Sequence, residues 1–309
     1  SLWEFLTRDC RIPDTDLKPL TRYQVAVGDT LELREIHAFQ RDAYGRAYVP
    51  GSSVKGSLRT AWLLDAVLDD TAGNHTLPPP SKNKKVAFPE EDYVNLLRLS
   101  QKRRSDAVNS IFRGIQISDS QPIPDERMML TGKFKRGIPL RRECVAPNTR
   151  IRFRLTLDQS ILKGRITKET LEHAIQRYDA YYQQTYGRKF TPPAGSVSLP
   201  QQPYLILGGG AGFFSKSLAY PYLGEKLGLR WTADQMTQMF RGHKHERDAE
   251  NGISPHTMKY ARFMADSTRM DLWGEHCMID QLQFVLTPPE GVRVPQAYAY
   301  RLYGWLLEQ

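Results

Sequence analysis

Gly45–Arg46–Ala47–Tyr48–Val49–Pro50–Gly51–Ser52–Ser53–Val54–Lys55–Gly56–Ser57–Leu58–Arg59–Thr60 reads as a short strand, a tight Pro-Gly turn and the opening of a helix. Pro50 fixes φ and Gly51 supplies the dihedrals of the turn, so Ser52 or Ser53 is expected to cap the helix by accepting a bond from an orphan backbone N–H. From Val54 onward, Leu58, Ala61, Trp62 and Leu64 recur at helical spacing, which turns one face inward and carries the helix to about Leu68. Lys55 and Arg59 stand one turn apart on the other face. A helix start already offers unpaired N–H groups and partial positive charge, so the two cations make it a candidate phosphate seat. Gly56 costs the helix roughly 1 kcal/mol relative to Ala, which predicts that something approaches the backbone there.

Around this stretch, 309 residues suffice for two domains, and 40% hydrophobic with 25% charged residues is the balance of a soluble globular protein. The net charge is +9. From Arg98 to Arg165 there are sixteen Lys and Arg against six Asp and Glu, a balance of +10, so the surplus is concentrated there and predicts an acidic partner such as nucleic acid. Cys10, Cys144 and Cys277 are far apart, odd in number and outside any metal-ligand spacing, which predicts a reducing compartment and a cytoplasmic protein. No apolar run approaches the roughly 18 residues of a membrane span, and no signal peptide opens the chain.

In chain order, Ser1–Cys10 reads as the middle of a helix without an initiator Met, so residues are expected to precede it. Tyr23–Val27 and Thr30–Ile36 read as two strands around a Gly28–Asp29 turn. Residues 71–92, with Pro78–Pro79–Pro80, read as an exposed insertion, and Asp92–Phe112 as a helix. In Thr149–Leu157, Ile151, Phe153, Leu155 and Leu157 alternate with Arg152, Arg154 and Thr156, the pattern of a half-buried strand with a basic outer face. Thr167 opens a further helix with a capping box to Thr170 and a stripe of Leu171, Ile175, Tyr178 and Tyr182. Tyr204–Leu207 reads as a short strand running into Gly208–Gly209–Gly210–Ala211–Gly212–Phe213–Phe214–Ser215–Lys216–Ser217. Its glycines let a backbone approach a ligand, but Gly208 to Lys216 does not fit the spacing of a nucleotide phosphate loop. Phe213 and Phe214 suggest bases stacking beside a backbone-gripping loop, with core aromatics as the plainer alternative. Ile253–Tyr260 leads into a strand, Met278–Leu286 follows, and Gln296–Leu307 reads as a closing helix.

These anchors resemble the RAMP superfamily of CRISPR proteins, and more narrowly the family of the fifth Csm subunit of the type III-A interference complex. The residues that carry the resemblance are Arg41–Asp42–Ala43–Tyr44–Gly45–Arg46, Tyr48 through Thr60, Gln116–Ile117–Ser118–Asp119–Ser120, Arg142–Glu143–Cys144, the glycine loop, and Ile253–Ser254–Pro255–His256–Thr257. The resemblance implies an α+β fold of two ferredoxin-like, RRM-related domains, residues 1–165 with a basic insertion and residues 166–309 with the glycine loop. It also implies a non-catalytic subunit that binds the 3′ region of the crRNA and caps a filament of Cas-seven-like backbone subunits. Such a subunit supports crRNA maturation through recruited nucleases, in contact with other Csm subunits and near target RNA. The RNA-binding positions would be Ser52, Ser53, Lys55, Arg59, Arg141, Arg142, Gly208, Gly209, Gly210, Gly212, Phe213, Phe214 and Lys216, with no cofactor and no metal.

Two enzyme readings compete. In a metal-independent RAMP endoribonuclease, His37 would take a 2′-hydroxyl proton as general base while Lys55 steadied the phosphate; a lone His after a strand is more often a surface or core residue. Alternatively His243 and His245, two apart, could ligate a metal with Asp248, although Lys244 and Arg247 and the lack of a clear third ligand favour a solvated basic loop. Ser52 and Ser53 lack an evident His and Asp partnership in the sequence, so serine-nucleophile chemistry is not favoured.

Overall fold

The structure is a computed structural model, and it describes residues 4–21, 23–27, 35–70, 76–80, 88, 90–100, 107–133, 140–146, 149–190, 205–207, 212–242, 245–256, 261–264, 273–274, 281–287 and 297–306. Among the described residues three helices exceed two turns: α1 (Gly51–Asp69), α2 (Lys168–Thr185) and α3 (Glu225–Met239). The strands are β1 (Ala26–Val27), β2 (Glu35–His37), β3 (Ile115–Ile117), β4 (Met128–Lys133), β5 (Leu140–Val145), β6 (Arg150–Asp158), β7 (Leu205–Ile206), β8 (Ala261–Met264), β9 (Trp273–Gly274), β10 (Gln281–Thr287) and β11 (Ala297–Leu306). One sheet runs β2-β5-β4-β8-β9 with β1 parallel to β4; the other runs β3-β6-β11-β10-β7 and is antiparallel throughout. This is an α+β chain.

The helices form for the reasons expected locally, with one change of cap. On α1, Val54, Leu58, Ala61, Leu63, Leu64 and Val67 are buried, and all but Val67 join Ile151, Phe153, Leu155 and Leu157 of β6 in one core. The alternation on β6 holds residue by residue: those four apolar side chains are buried while Arg150, Arg152 and Arg154 are exposed. The capping box on α2 is present, with Thr167 N–H donating to Thr170 Oγ1 at 2.8 Å and Thr170 N–H to Thr167 Oγ1 at 3.3 Å. An ion pair fixes α2 to α1: Arg177 Nη1 lies 2.8 Å from Asp65 Oδ1 and 2.5 Å from Asp69 Oδ1.

Three expectations change. The closing helix is a strand, β11, which pairs with both β6 and β10; Ala297-Tyr-Ala-Tyr-Arg-Leu-Tyr alternates with period two and is rich in aromatic residues, which suits a strand between two others. The helix over Asp92–Phe112 stops at Val94: Arg98 takes a left-handed φ of 52°, and Asn109 turns back to bond both Ser100 N–H and Ser100 C=O. Among the described residues β1 and β2 do not pair with each other; β1 runs parallel to β4 and β2 parallel to β5. Both sheets draw strands from either side of residue 165. The Gly28–Asp29 turn and Gly208, Gly209 and Gly210 lie outside the described residues.

Candidate nucleic-acid interface

The turn into α1 is held by a loop that lies far away in sequence. Ser120 N–H donates to Val49 C=O at 3.0 Å, Val49 N–H donates to Ser120 Oγ at 2.9 Å, and Gly51 N–H donates to Asp119 Oδ1 at 2.9 Å. Asp119 is therefore the cap of α1, and neither Ser52 nor Ser53 caps it: Pro50 occupies the cap position, and both serines are exposed. Asp119 also brings an in-chain carboxylate to the helix start, so that terminus is not an empty anion seat. The loop is itself tied to β6, with Ser118 N–H donating to Arg154 C=O, Gln121 N–H to Arg152 C=O, and Arg154 N–H to Ser118 Oγ, each at 2.9 Å. The start of α1 and the basic strand thus form one rigid unit.

A single hydrogen bond joins the two stretches that stood out in the sequence. Ser57 Oγ donates to Ile206 C=O at 3.1 Å, so the strand that feeds the glycine loop docks on the second turn of α1. Ser52, Ser53 and Lys55 precede Ser57 within the first two turns of α1. Lys55 is half-buried, burial pushes its ammonium below the ordinary lysine value, and among the described residues its side chain has no ion pair or hydrogen bond. A partly desolvated cation without a counter-ion gains more from a phosphate than a fully solvated one does. A Cβ at Gly56 would meet nothing within 4 Å, so no part of the described chain explains this glycine.

The remaining predicted positions divide. Arg59 is paired with Glu90 and is not a free cation. Arg141 on β5 is buried, which turns it toward the interior and away from an open RNA surface. Arg142, beside it, is half-buried, with its Nε buried and unpaired in the described structure. Phe214 stacks on Tyr186 with ring centroids 4.4 Å apart and an interplanar angle of 9°, and it meets Tyr182 and Tyr220 edge-on. It is a core residue, the plainer of the two alternatives. Phe213 is half-buried, Gly212 has a left-handed φ of 80°, and Lys216 is exposed. Arg152 and Arg154 were legible as a basic strand face but were missing from the predicted site; among the described residues neither side chain has a partner.

His37 lies exposed at the end of β2, in register with Arg142 of β5. Nearby, other residues that carried the resemblance serve the fold. Glu143, itself buried, accepts from Tyr23 Oη–H and Phe39 N–H at 2.9 Å each, and Arg41 reaches it at 3.6 Å while stacking 3.4 Å over the Tyr23 ring. Asp42 accepts from Tyr44 N–H and Arg46 N–H at 2.9 Å and from Arg46 Nε–H at 2.8 Å, which folds the approach to the turn.

An α+β chain with this helix start, basic strand and glycine loop belongs to a known class: the RAMP superfamily model matches residues 20–187, and the chain belongs to that superfamily. Within it, the chain is similar to the CRISPR system Cms protein Csm5 of Mycobacterium tuberculosis, 34% identical over 200 residues, which cover 60% of this chain and 53% of that protein. The protein of the same name from Streptococcus thermophilus is 29% identical over 198 residues, 60% of this chain and 51% of the relative. The chain spans about half the length of the curated relatives it matches. Among solved structures, T. onnurineus Csm5 gives a TM-score of 0.44 at 15% identity over 80% of this chain and 78% of that one. A chain of a Csm-crRNA-target RNA ternary complex gives 0.43 at 17% identity over 66% of each. Likenesses at these scores decide neither fold nor function. Among the described residues no helix is long and apolar enough to cross a membrane.

Proposed function

We propose that this chain is a non-catalytic, RNA-binding subunit of a type III-A CRISPR interference complex, in the role that Csm5 has among its relatives. The observation that carries the reading is the start of α1, where Ser52 and Ser53 are exposed and Lys55 is half-buried with no side-chain partner among the described residues, within two turns of the point where β7 docks through Ser57 and Ile206. Two exposed hydroxyls, a cation short of solvent and an uncovered glycine suit a sugar-phosphate backbone that is held without reading its sequence. Arg152 and Arg154 extend positive charge beyond the Ser118–Gln121 loop, and Lys216 extends it beyond the glycine loop. The bound RNA in this reading is the 3′ region of the crRNA. The chain would cap a filament of Cas-seven-like backbone subunits, adjoin target RNA and other Csm subunits, and support guide maturation through recruited nucleases.

The test is to incubate the chain, alone and reconstituted with its Csm partners, with end-labelled repeat-spacer RNA in EDTA and in Mg²⁺. Salt-sensitive retention of intact RNA in both buffers is expected. Cleavage that survives EDTA and disappears in His37→Ala would replace this reading with the endoribonuclease.

A further inference from the structure

We propose that His245, Asp248 and His256 form a binding site for one divalent transition-metal ion of the zinc class. The ion would pin the segment before β8 to the turn that follows α3. This inference stands apart from the RNA-binding reading and uses none of its residues. The sequence suggested His243 and His245 with Asp248; His243 lies outside the described residues, and the third group that the fold supplies is His256.

The three side chains converge, with the two imidazoles on the two oxygens of one carboxylate. Asp248 directs Oδ2 at His245 Nδ1, 3.1 Å away, and Oδ1 at His256 Nδ1, 2.7 Å away. The two imidazoles stack with centroids 4.3 Å apart, and one donor atom from each of the three residues lies within 4.8 Å of the others. Zinc at its usual distance from imidazole nitrogen and carboxylate oxygen sets neighbouring donors about 3.4 Å apart, so the two Asp248–imidazole spacings need to open by about 0.3–0.7 Å, with any proton on a ligating nitrogen moving to the other ring nitrogen or to solvent. Local bonds hold the arrangement: Asp248 N–H donates to His245 C=O at 3.1 Å, Ile253 N–H to Asp248 C=O at 3.2 Å, and Tyr220 Oη–H to Ser254 C=O at 2.9 Å.

Charge supplies an independent reason. The Asp248 side chain is 1% exposed, and the two imidazoles are its only side-chain partners among the described residues. Two imidazoles can give a buried carboxylate its hydrogen bonds, and a carboxylate held away from water is further favoured by a full counter-charge. A divalent cation bound by the same three groups supplies it. Two imidazoles with one carboxylate select zinc-class ions over calcium or magnesium, which prefer oxygen alone. His256, half-buried, is on the side by which the ion and a fourth ligand from solvent would enter.

The test uses the chain without an affinity tag, stripped by a chelator and dialysed, then titrated with Zn²⁺ by calorimetry and with Co²⁺ by visible absorption. One equivalent is expected to bind. Asp248→Asn and His256→Ala should weaken binding by more than the roughly 10–100-fold that loss of an outer-shell partner costs, while His243→Ala should leave it unchanged. Circular dichroism and chemical denaturation of the metal-free variants separate a lost ligand from a lost fold. His256→Cys should restore Co²⁺ binding with a thiolate charge-transfer band, a signature that a purely structural histidine would not produce. No saturable binding by the unmodified chain, equal binding by His256→Ala, or loss confined to His243→Ala would each overturn the site.

Discussion

Alanine at Gly51 and alanine at Gly56 should shift stability in opposite directions, although both glycines lie on α1 and are five residues apart. A Cβ at Gly51 would sit 2.6 Å from the Ser118 carbonyl carbon, and nearer still to the carbonyl oxygens of Ile117 and Ser118. All three atoms are backbone, and the Ser118–Gln121 loop is clamped to β6 by 2.9 Å bonds on both sides, so it has no flexible tip to yield. Making room costs about 1–3 kcal/mol as overpacking. The same retreat lengthens the bond from Gly51 N–H to Asp119, a cap worth about 1 kcal/mol, which brings the expected loss to about 2–4 kcal/mol. At Gly56 nothing lies within 4 Å, and alanine in an exposed helical position gains about 0.5–1 kcal/mol. Urea denaturation of both variants, with the slope checked against the unmodified chain, measures the difference directly. A Gly51→Ala chain within about 0.5 kcal/mol of the original, or a destabilised Gly56→Ala chain, would refute the packing argument. The RNA-binding reading adds a second outcome: Gly56→Ala, more stable, should hold RNA less well, because the methyl group stands where the RNA backbone approaches.

Three further outcomes follow from the same structure. Asp119→Ala should cost about 1 kcal/mol by uncapping α1, and Asp119→Asn should recover most of it, as read by thermal or chemical denaturation. Arg177→Met leaves Asp65, nearly buried, without its guanidinium, and should cost about 1–3 kcal/mol in urea denaturation, less than a fully buried pair would because Arg177 is partly solvated. Burial pushes the Asp179 carboxyl up to about 6, so the folded chain holds that proton more tightly than the unfolded one does. Its contribution is most favourable below about pH 4 and is lost as pH rises through 6. Asp179→Asn should therefore stabilise the chain at pH 7.5 by about 1–2 kcal/mol, after discounting a ceiling near 3 for partial solvation, and change little at pH 4.

What could be read from the sequence was what is encoded locally. The alternation of Ile151, Phe153, Leu155 and Leu157 with exposed arginines survives intact as β6, and the Thr167–Thr170 box and the tyrosine stripe of α2 appear as read. What could not be read depends on residues far apart in the chain. The cap of α1 comes from Asp119, 68 positions away, and no local pattern distinguishes it from Ser52 or Ser53. Phe214 beside a glycine run looks equally like a stacking platform and a core residue, until Tyr186 closes over it from the end of α2. Arg59 reads as a free cation only while Glu90 is out of view. β11 misled for a different reason: Ala, Tyr and Leu satisfy either period over ten residues, and only its neighbours on both sides make it a strand. His256 joins His245 and Asp248 through a turn, a proximity that ligand spacing alone did not signal.

The central claim is that RNA is held at the start of α1 and reaches round the sheet to Arg152 and Arg154, which project from the face of β6 opposite that helix. Its most direct test is the salt dependence of guide-RNA binding by the reconstituted complex, carrying in turn Lys55→Glu, the pair Arg152→Glu with Arg154→Glu, and Arg59→Glu. The account predicts that Lys55→Glu and the arginine pair weaken binding and lower the slope of log K against log salt by about 0.7 for each phosphate no longer neutralised, while Arg59→Glu has a smaller effect because that side chain is already paired with Glu90. Unchanged affinity and slope in both the Lys55→Glu and the double-arginine complexes would contradict it.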